Sequence, residues 1–91
     1  MPNVRIPPTL RAEVGGERQV AADGGTVREL LDDLTSRFPG LKGQLFEDGE
    51  VAPFVNVYLE GDDVRTLPEG FESTVGESAT VILLPAMAGG V

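Results

Sequence analysis

Nucleophilic, general-base and metal-binding chemistry ordinarily draws on Cys and His, and this 91-residue chain contains neither. Their absence removes disulfides, thiolate nucleophiles, zinc sites of the Cys/His type and every triad built on an imidazole. Bond-making is left to Ser and Thr hydroxyls, the single lysine Lys42, and carboxylates. There is no Gly-x-Ser-x-Gly elbow, and Gly15-Gly16 and Gly24-Gly25 lack the Lys-Ser/Thr that would follow in a phosphate loop. Asp32-Asp33 and Asp62-Asp63 are the paired acids that a metal or an acid–base mechanism would use. Neighbouring acids on a helix face or in a turn are ordinarily solvated surface. The residues argue against an autonomous enzyme, with no catalytic residue, no metal ligand set and no bound cofactor expected.

The other reactive group is the carboxyl end, Pro85-Ala86-Met87-Ala88-Gly89-Gly90-Val91. It follows directly on Ala79-Thr80-Val81-Ile82-Leu83-Leu84, the most apolar run of the chain, so its base is expected to be anchored in the core. Pro85 cannot donate to a ladder and helps end the strand. Ala88, Gly89 and Gly90 make a slender tail, and glycines let a backbone approach a partner closely. A terminal Gly-Gly alone is weak evidence, because frayed ends are often glycine-rich. It gains weight from the elements that precede it. The expected organisation is a folded domain over 1–85 and a flexible tail over 86–91.

Those elements can be read from periodicity. Residues 3–7 alternate apolar and polar and predict a strand whose proline end lies at a sheet edge. Arg18-Gln19-Val20-Ala21 predicts a second strand in hairpin with it. Thr26-Val27-Arg28-Glu29 is a capping box, and Val27, Leu30, Leu31, Leu34 and Phe38 form the apolar stripe of a helix closed by Pro39-Gly40. Leu41, Leu45 and Phe46 suggest a short helical turn, and residues 47–50 an exposed acidic loop. Phe54 to Leu59 is a β-branched and aromatic strand, with Phe54, Asn56 and Tyr58 on one face. Val64-Arg65 begins a short return, and residues 67–77 are loop with one helical turn. The last apolar run suits a strand that is central and buried on both sides, or packed under the helix. The result is an α+β domain with one main amphipathic helix on a mixed four- or five-stranded sheet.

Fifteen acids against seven bases give a formal charge of −8. The bases are scattered singly along the sequence, which disfavours nucleic acid and anionic membrane surfaces as partners. No segment approaches the ~20 apolar residues of a membrane span. The N-terminus has no apolar signal core, so a cytoplasmic location is expected.

Phe54-Val55-Asn56-Val57-Tyr58-Leu59 with the following Asp63-Val64-Arg65, and the ending from Thr80 to Gly90, resemble the prokaryotic ubiquitin-like sulfur carriers. The family includes the small subunit of molybdopterin synthase, the thiamine-pathway carrier and the actinobacterial carrier of cysteine biosynthesis. The opening Ile6-Pro7-Pro8-Thr9-Leu10-Arg11 is most similar to the last of these. The resemblance covers essentially the whole chain and implies a β-grasp fold. It also implies that a ubiquitin-activating-like adenylyltransferase uses ATP to adenylate the terminal glycine. A sulfur donor then leaves a thiocarboxylate, which a sulfur-accepting synthase consumes. By position Gly90 carries the sulfur, with Gly89 and Ala88 as its slender lead. Val91 departs from the pattern, since it ties up the Gly90 carboxylate, and its removal by a zinc metalloprotease is expected. Two other roles suit the same features: a ubiquitin-like modifier joined to lysines, and a non-covalent adaptor docking through Phe54 and Tyr58 on its sheet face.

Overall fold

A computed structural model describes residues 1–85. Strand β1 (Asn3–Arg5) stops two residues before Pro7. The sequence expectation carried this strand to residue 7. Pro8, whose missing N–H is no loss in a first turn, instead opens a 3₁₀ helix over Pro8–Val14. Gly15 ends that helix in the left-handed region at φ 69°, and β2 (Gln19–Ala21) returns antiparallel to β1. The hairpin is as expected, but β1 is an interior strand lying between β2 and the last strand, so its proline end is not at an edge.

Helix α1 (Val27–Arg37) begins at the capping box. The Thr26 hydroxyl accepts from the Glu29 amide at 3.2 Å, and the Glu29 carboxylate accepts from the Gly25 amide at 2.8 Å. Val27, Leu30, Leu31 and Leu34 are fully buried. Pro39 does more than stop the helix: it occupies the first turn of α2 (Pro39–Leu45), which buries Leu41 and Leu45. The acidic stretch after it is not a loop. Strands β3 (Phe46–Glu47) and β4 (Glu50–Val51) close around Asp48 (φ 54°) and Gly49 (φ 82°) as a two-residue hairpin.

Strand β5 (Val55–Leu59) turns through Glu60-Gly61 into β6 (Asp62–Asp63), followed by 3₁₀ turns at Val64–Thr66 and Gly70–Glu72. Strand β7 (Thr80–Pro85) completes a five-stranded sheet of order β2-β1-β7-β5-β6. It runs parallel to β1 and antiparallel to β5. Val4, Val55, Val57, Val81 and Leu83 from the sheet join the helix leucines in one core. Alternation along β7 contradicts burial on both sides: Val81 and Leu83 are inside, Ile82 is half-buried and Leu84 exposed. The helices cover one sheet face, and the other is left open.

The entry to α1 depends on close backbone approach at Gly24. A Cβ there would lie 2.6 Å from the Leu30 amide nitrogen and 2.8 Å from the Glu29 carbonyl carbon. Thr26→Ala is expected to cost about 1 kcal/mol through the lost cap. Gly24→Ala, which must force loop and helix apart, is expected to cost about 1–3 kcal/mol. Denaturant midpoints of the two variants check the order; a Gly24→Ala protein as stable as the parent would refute the close approach.

Candidate functional site

The six residues from Ala86 to Val91 lie outside the described residues, and with them Ala88, Gly89, Gly90 and Val91. The described structure contains the base from which they depart. Strand β7 is paired on both edges: Asn3, Val4 and Arg5 face Thr80, Val81 and Ile82 on one side. On the other, Val55 to Leu59 face Pro85 back to Val81. Pro85 is therefore still in register with Val55 at the last described position. The alternation that leaves Leu83 only 1% exposed pins the strand to the core, so the placement of β7 up to Pro85 is fixed by packing as well as by hydrogen bonds.

The open sheet face carries a transverse row of side chains, set by register: Gln19, Arg5, Ile82, Tyr58 and Asp63. Leu84, 45% exposed, is two residues nearer the tail than Ile82. Phe54, also 45% exposed, immediately precedes the residue that pairs with Pro85. Of the two docking candidates, Phe54 thus stands at the end from which the tail departs. Tyr58 sits farther back, half-buried in the middle of the row. Sequence reasoning pointed to an exposed Leu or Val near the last strand without naming Leu84, because a run of consecutive apolar residues conceals which ones the pleat turns outward.

Supporting interactions hold this face in place. Arg65 donates to the carbonyls of Val55 (2.8 Å) and Ala52 (2.9 Å), and its guanidinium lies 5.4 Å from the Phe71 ring centre. Asp63 accepts from the Arg65 amide at 2.9 Å, fixing the turn that presents that side chain. The start of β5, and hence the strand beside Pro85, is tied to the following loop by one residue. Glu60, at φ 50°, reaches back with its carboxylate to the Thr80 amide at 2.9 Å, anchoring the beginning of β7.

The paired acids have structural work. Asp32 pairs with Arg28 (3.2 Å), and Asp33 accepts from Arg37 (3.1 Å) and from the Asp23 amide (3.0 Å). Among the described residues no group of three or more metal-ligating side chains gathers. No helix among them is long and apolar enough to cross a membrane. A cavity of about 460 Å³ among α1, α2 and the β3–β4 hairpin holds Arg28 against Gly49 and the Phe46 ring.

Comparison with known proteins places this geometry among relatives. The model of the ThiS family matches residues 4–90. The chain is 34% identical over 90 residues to the sulfur carrier protein CysO of Mycobacterium tuberculosis, covering 96% of each chain. It is 37% identical over 81 residues to small archaeal modifier protein 3 of Haloferax volcanii, covering 86% of this chain and 87% of that one. Among solved structures, a chain of the BexX/CysO complex of Amycolatopsis orientalis superposes with a TM-score of 0.88 at 42% identity, covering 98% of this chain and 99% of that one.

Adjacent leucines on β7 test the assignment of faces. Leu83→Ala is expected to cost about 2–5 kcal/mol as a buried truncation. Leu84→Ala, on the open face, should change stability by about 0.5 kcal/mol or less. Equal losses in thermal or denaturant unfolding would mean that the pleat is misassigned.

Proposed function

The chain belongs to the ThiS family, and on that premise we propose that it is a sulfur carrier activated at the carboxylate of Gly90. The strongest support is that the family match runs through Gly90 and stops before Val91. The tail that bears Gly90 follows a strand paired with β1 through Ile82 and with β5 through Pro85.

The chemistry proposed needs neither thiol nor imidazole on this chain. Removal of Val91, assigned to a zinc metalloprotease, frees the Gly90 carboxylate. An adenylyltransferase of the ubiquitin-activating type then lets a carboxylate oxygen attack the α-phosphorus of ATP, and pyrophosphate leaves. A hydrosulfide-equivalent donor attacks the acyl carbon; AMP departs with the bonding electron pair, and a thiocarboxylate remains. That sulfur is the nucleophile which an acceptor synthase takes into a small product, in the biosynthesis of cysteine or of another sulfur metabolite. The carrier contributes position: a fixed exit direction, a docking face with Phe54 and Leu84 beside the exit, and glycines slim enough for a narrow channel. Dependence on ATP fits a cytoplasmic setting.

A second reading, conjugation of Gly90 to lysines of other proteins, draws support from the likeness to the archaeal modifier protein. The two readings share activation and differ in the final nucleophile.

The intact mass of untagged protein from its own host tests both. The carrier reading expects loss of one valine residue and exchange of one oxygen for sulfur. Lysine adducts on other proteins, with no thiocarboxylate, would establish the modifier instead. A full-length chain unchanged under sulfur demand would overturn activation at Gly90 altogether. In a reconstituted assay, a chain ending at Gly90 should be adenylated without protease, and the chain ending at Val91 should not.

A further inference from the structure

Strands β1 and β7 part company where Pro7 and Pro8 turn the chain into its 3₁₀ helix, because β1 ends at Arg5 and β7 runs on to Pro85. Their divergence opens a groove of about 400 Å³ beside Ile82–Leu84. Pro7, Ile82 and Leu84 give it an apolar lining, and Arg5, Arg11 and Arg18 a cationic one. The three arginines follow one another at six- and seven-residue intervals, and the 3₁₀ helix between the first two strands brings them to one groove.

What the other bases touch sets these three apart. Arg28 and Arg37 each pair with an acid of α1, and Arg65 is bonded to two backbone carbonyls. Arg5, Arg11 and Arg18 have no carboxylate within 4.0 Å among the described residues. Arg11 donates from Nε to the Ile6 carbonyl at 3.1 Å, which ties it to the turn out of β1. Five of the seven bases have no carboxylate within 4.0 Å among the described residues: Arg65 is bonded to backbone carbonyls, Lys42 lines a separate cavity, and the other three share this groove.

We propose that this groove is a docking subsite for an acidic protein partner, which presents carboxylates to Arg5, Arg11 and Arg18 and apolar side chains to Ile82 and Leu84. The proposal deepens the carrier reading and takes its biological context from it: the groove adjoins the strand that leads into the tail, so its occupant is an enzyme that receives the tail. Arginine forks match carboxylates bidentately. A nucleic acid fits less well, since Ile82 and Leu84 offer nothing to a sugar–phosphate backbone, whereas a protein partner can meet them with apolar side chains. Strand addition is also disfavoured, because Pro85 has no N–H to give. Recognition therefore runs through side chains and weakens with salt.

The test uses the full chain, ¹⁵N-labelled, with two end-blocked synthetic hexapeptides, one alternating Glu and Leu and the other alternating Lys and Leu. The Glu–Leu peptide is expected to shift the amide resonances of Arg5, Arg11, Arg18, Ile82 and Leu84, and the Lys–Leu peptide to leave them in place. Arg18→Glu should weaken binding about fivefold or more. Lys42→Glu makes the same change in net charge outside the groove and should leave affinity within about twofold. Absent shifts, shifts scattered over the surface, or equal weakening by Lys42→Glu would overturn the proposal. Displacement of the peptide by tripolyphosphate at equal anionic charge would also overturn it and mark a phosphate site. Failure here is separable from failure of the carrier reading: a Gly90 thiocarboxylate found in a protein whose groove ignores the acidic peptide sinks only the docking subsite.

Discussion

The double pairing of β7 is the constraint on which the rest depends. One strand is parallel to β1, antiparallel to β5, apolar-in at Val81 and Leu83, and apolar-out at Ile82 and Leu84. A one-residue slip of its register would exchange those faces, exposing the core pair and burying the open-face pair. Register therefore decides both the core and what the open face presents. The devices around β7 all act to hold it: the Glu60 carboxylate on the Thr80 amide, the Arg65 clamp on the loop before β5, and the helix leucines behind the sheet.

Charge is distributed according to the same plan. The acids that pair with Arg28 and Arg37 secure the helix side. Arg37 also reaches the Ala21 carbonyl, so the outer strand of the sheet is partly covered by a cation, a common way to keep an edge from recruiting other chains. Arg5, Arg11 and Arg18, with no acid within 4.0 Å among the described residues, are gathered in one groove beside Ile82–Leu84. An acidic protein thereby keeps a cationic corner without losing the repulsion that holds copies apart.

Local features were the most legible in the sequence. The capping box, the apolar stripe of α1 and the alternation of β5 each depend on neighbours a few residues apart and appear as read, except that β5 begins at Val55 and leaves Phe54 in the turn before it. Interior placement of β1 was not legible, since a proline at a strand end marks a stop and says nothing about which strands lie alongside. The β3–β4 hairpin carried a usable signal: Asp48-Gly49 is the pair that a two-residue turn with positive φ favours. Its acidic neighbours masked it as loop. The Arg65 clamp and the convergence of Arg5, Arg11 and Arg18 depend on how turns and a 3₁₀ helix fold back over about ten residues, which periodicity and spacing do not record.

Parallel pairing of the first and last strands also determines how the domain bears mechanical load. Traction applied at Pro85 in the direction of β7 acts along the axis of that strand. The bonds to β1 and β5 lie across that axis, so they are sheared together and must yield together. A tail attached instead to a terminal hairpin would unzip bond by bond. The domain can thus be pulled by its working end and stay folded, which makes it a handle as much as a carrier.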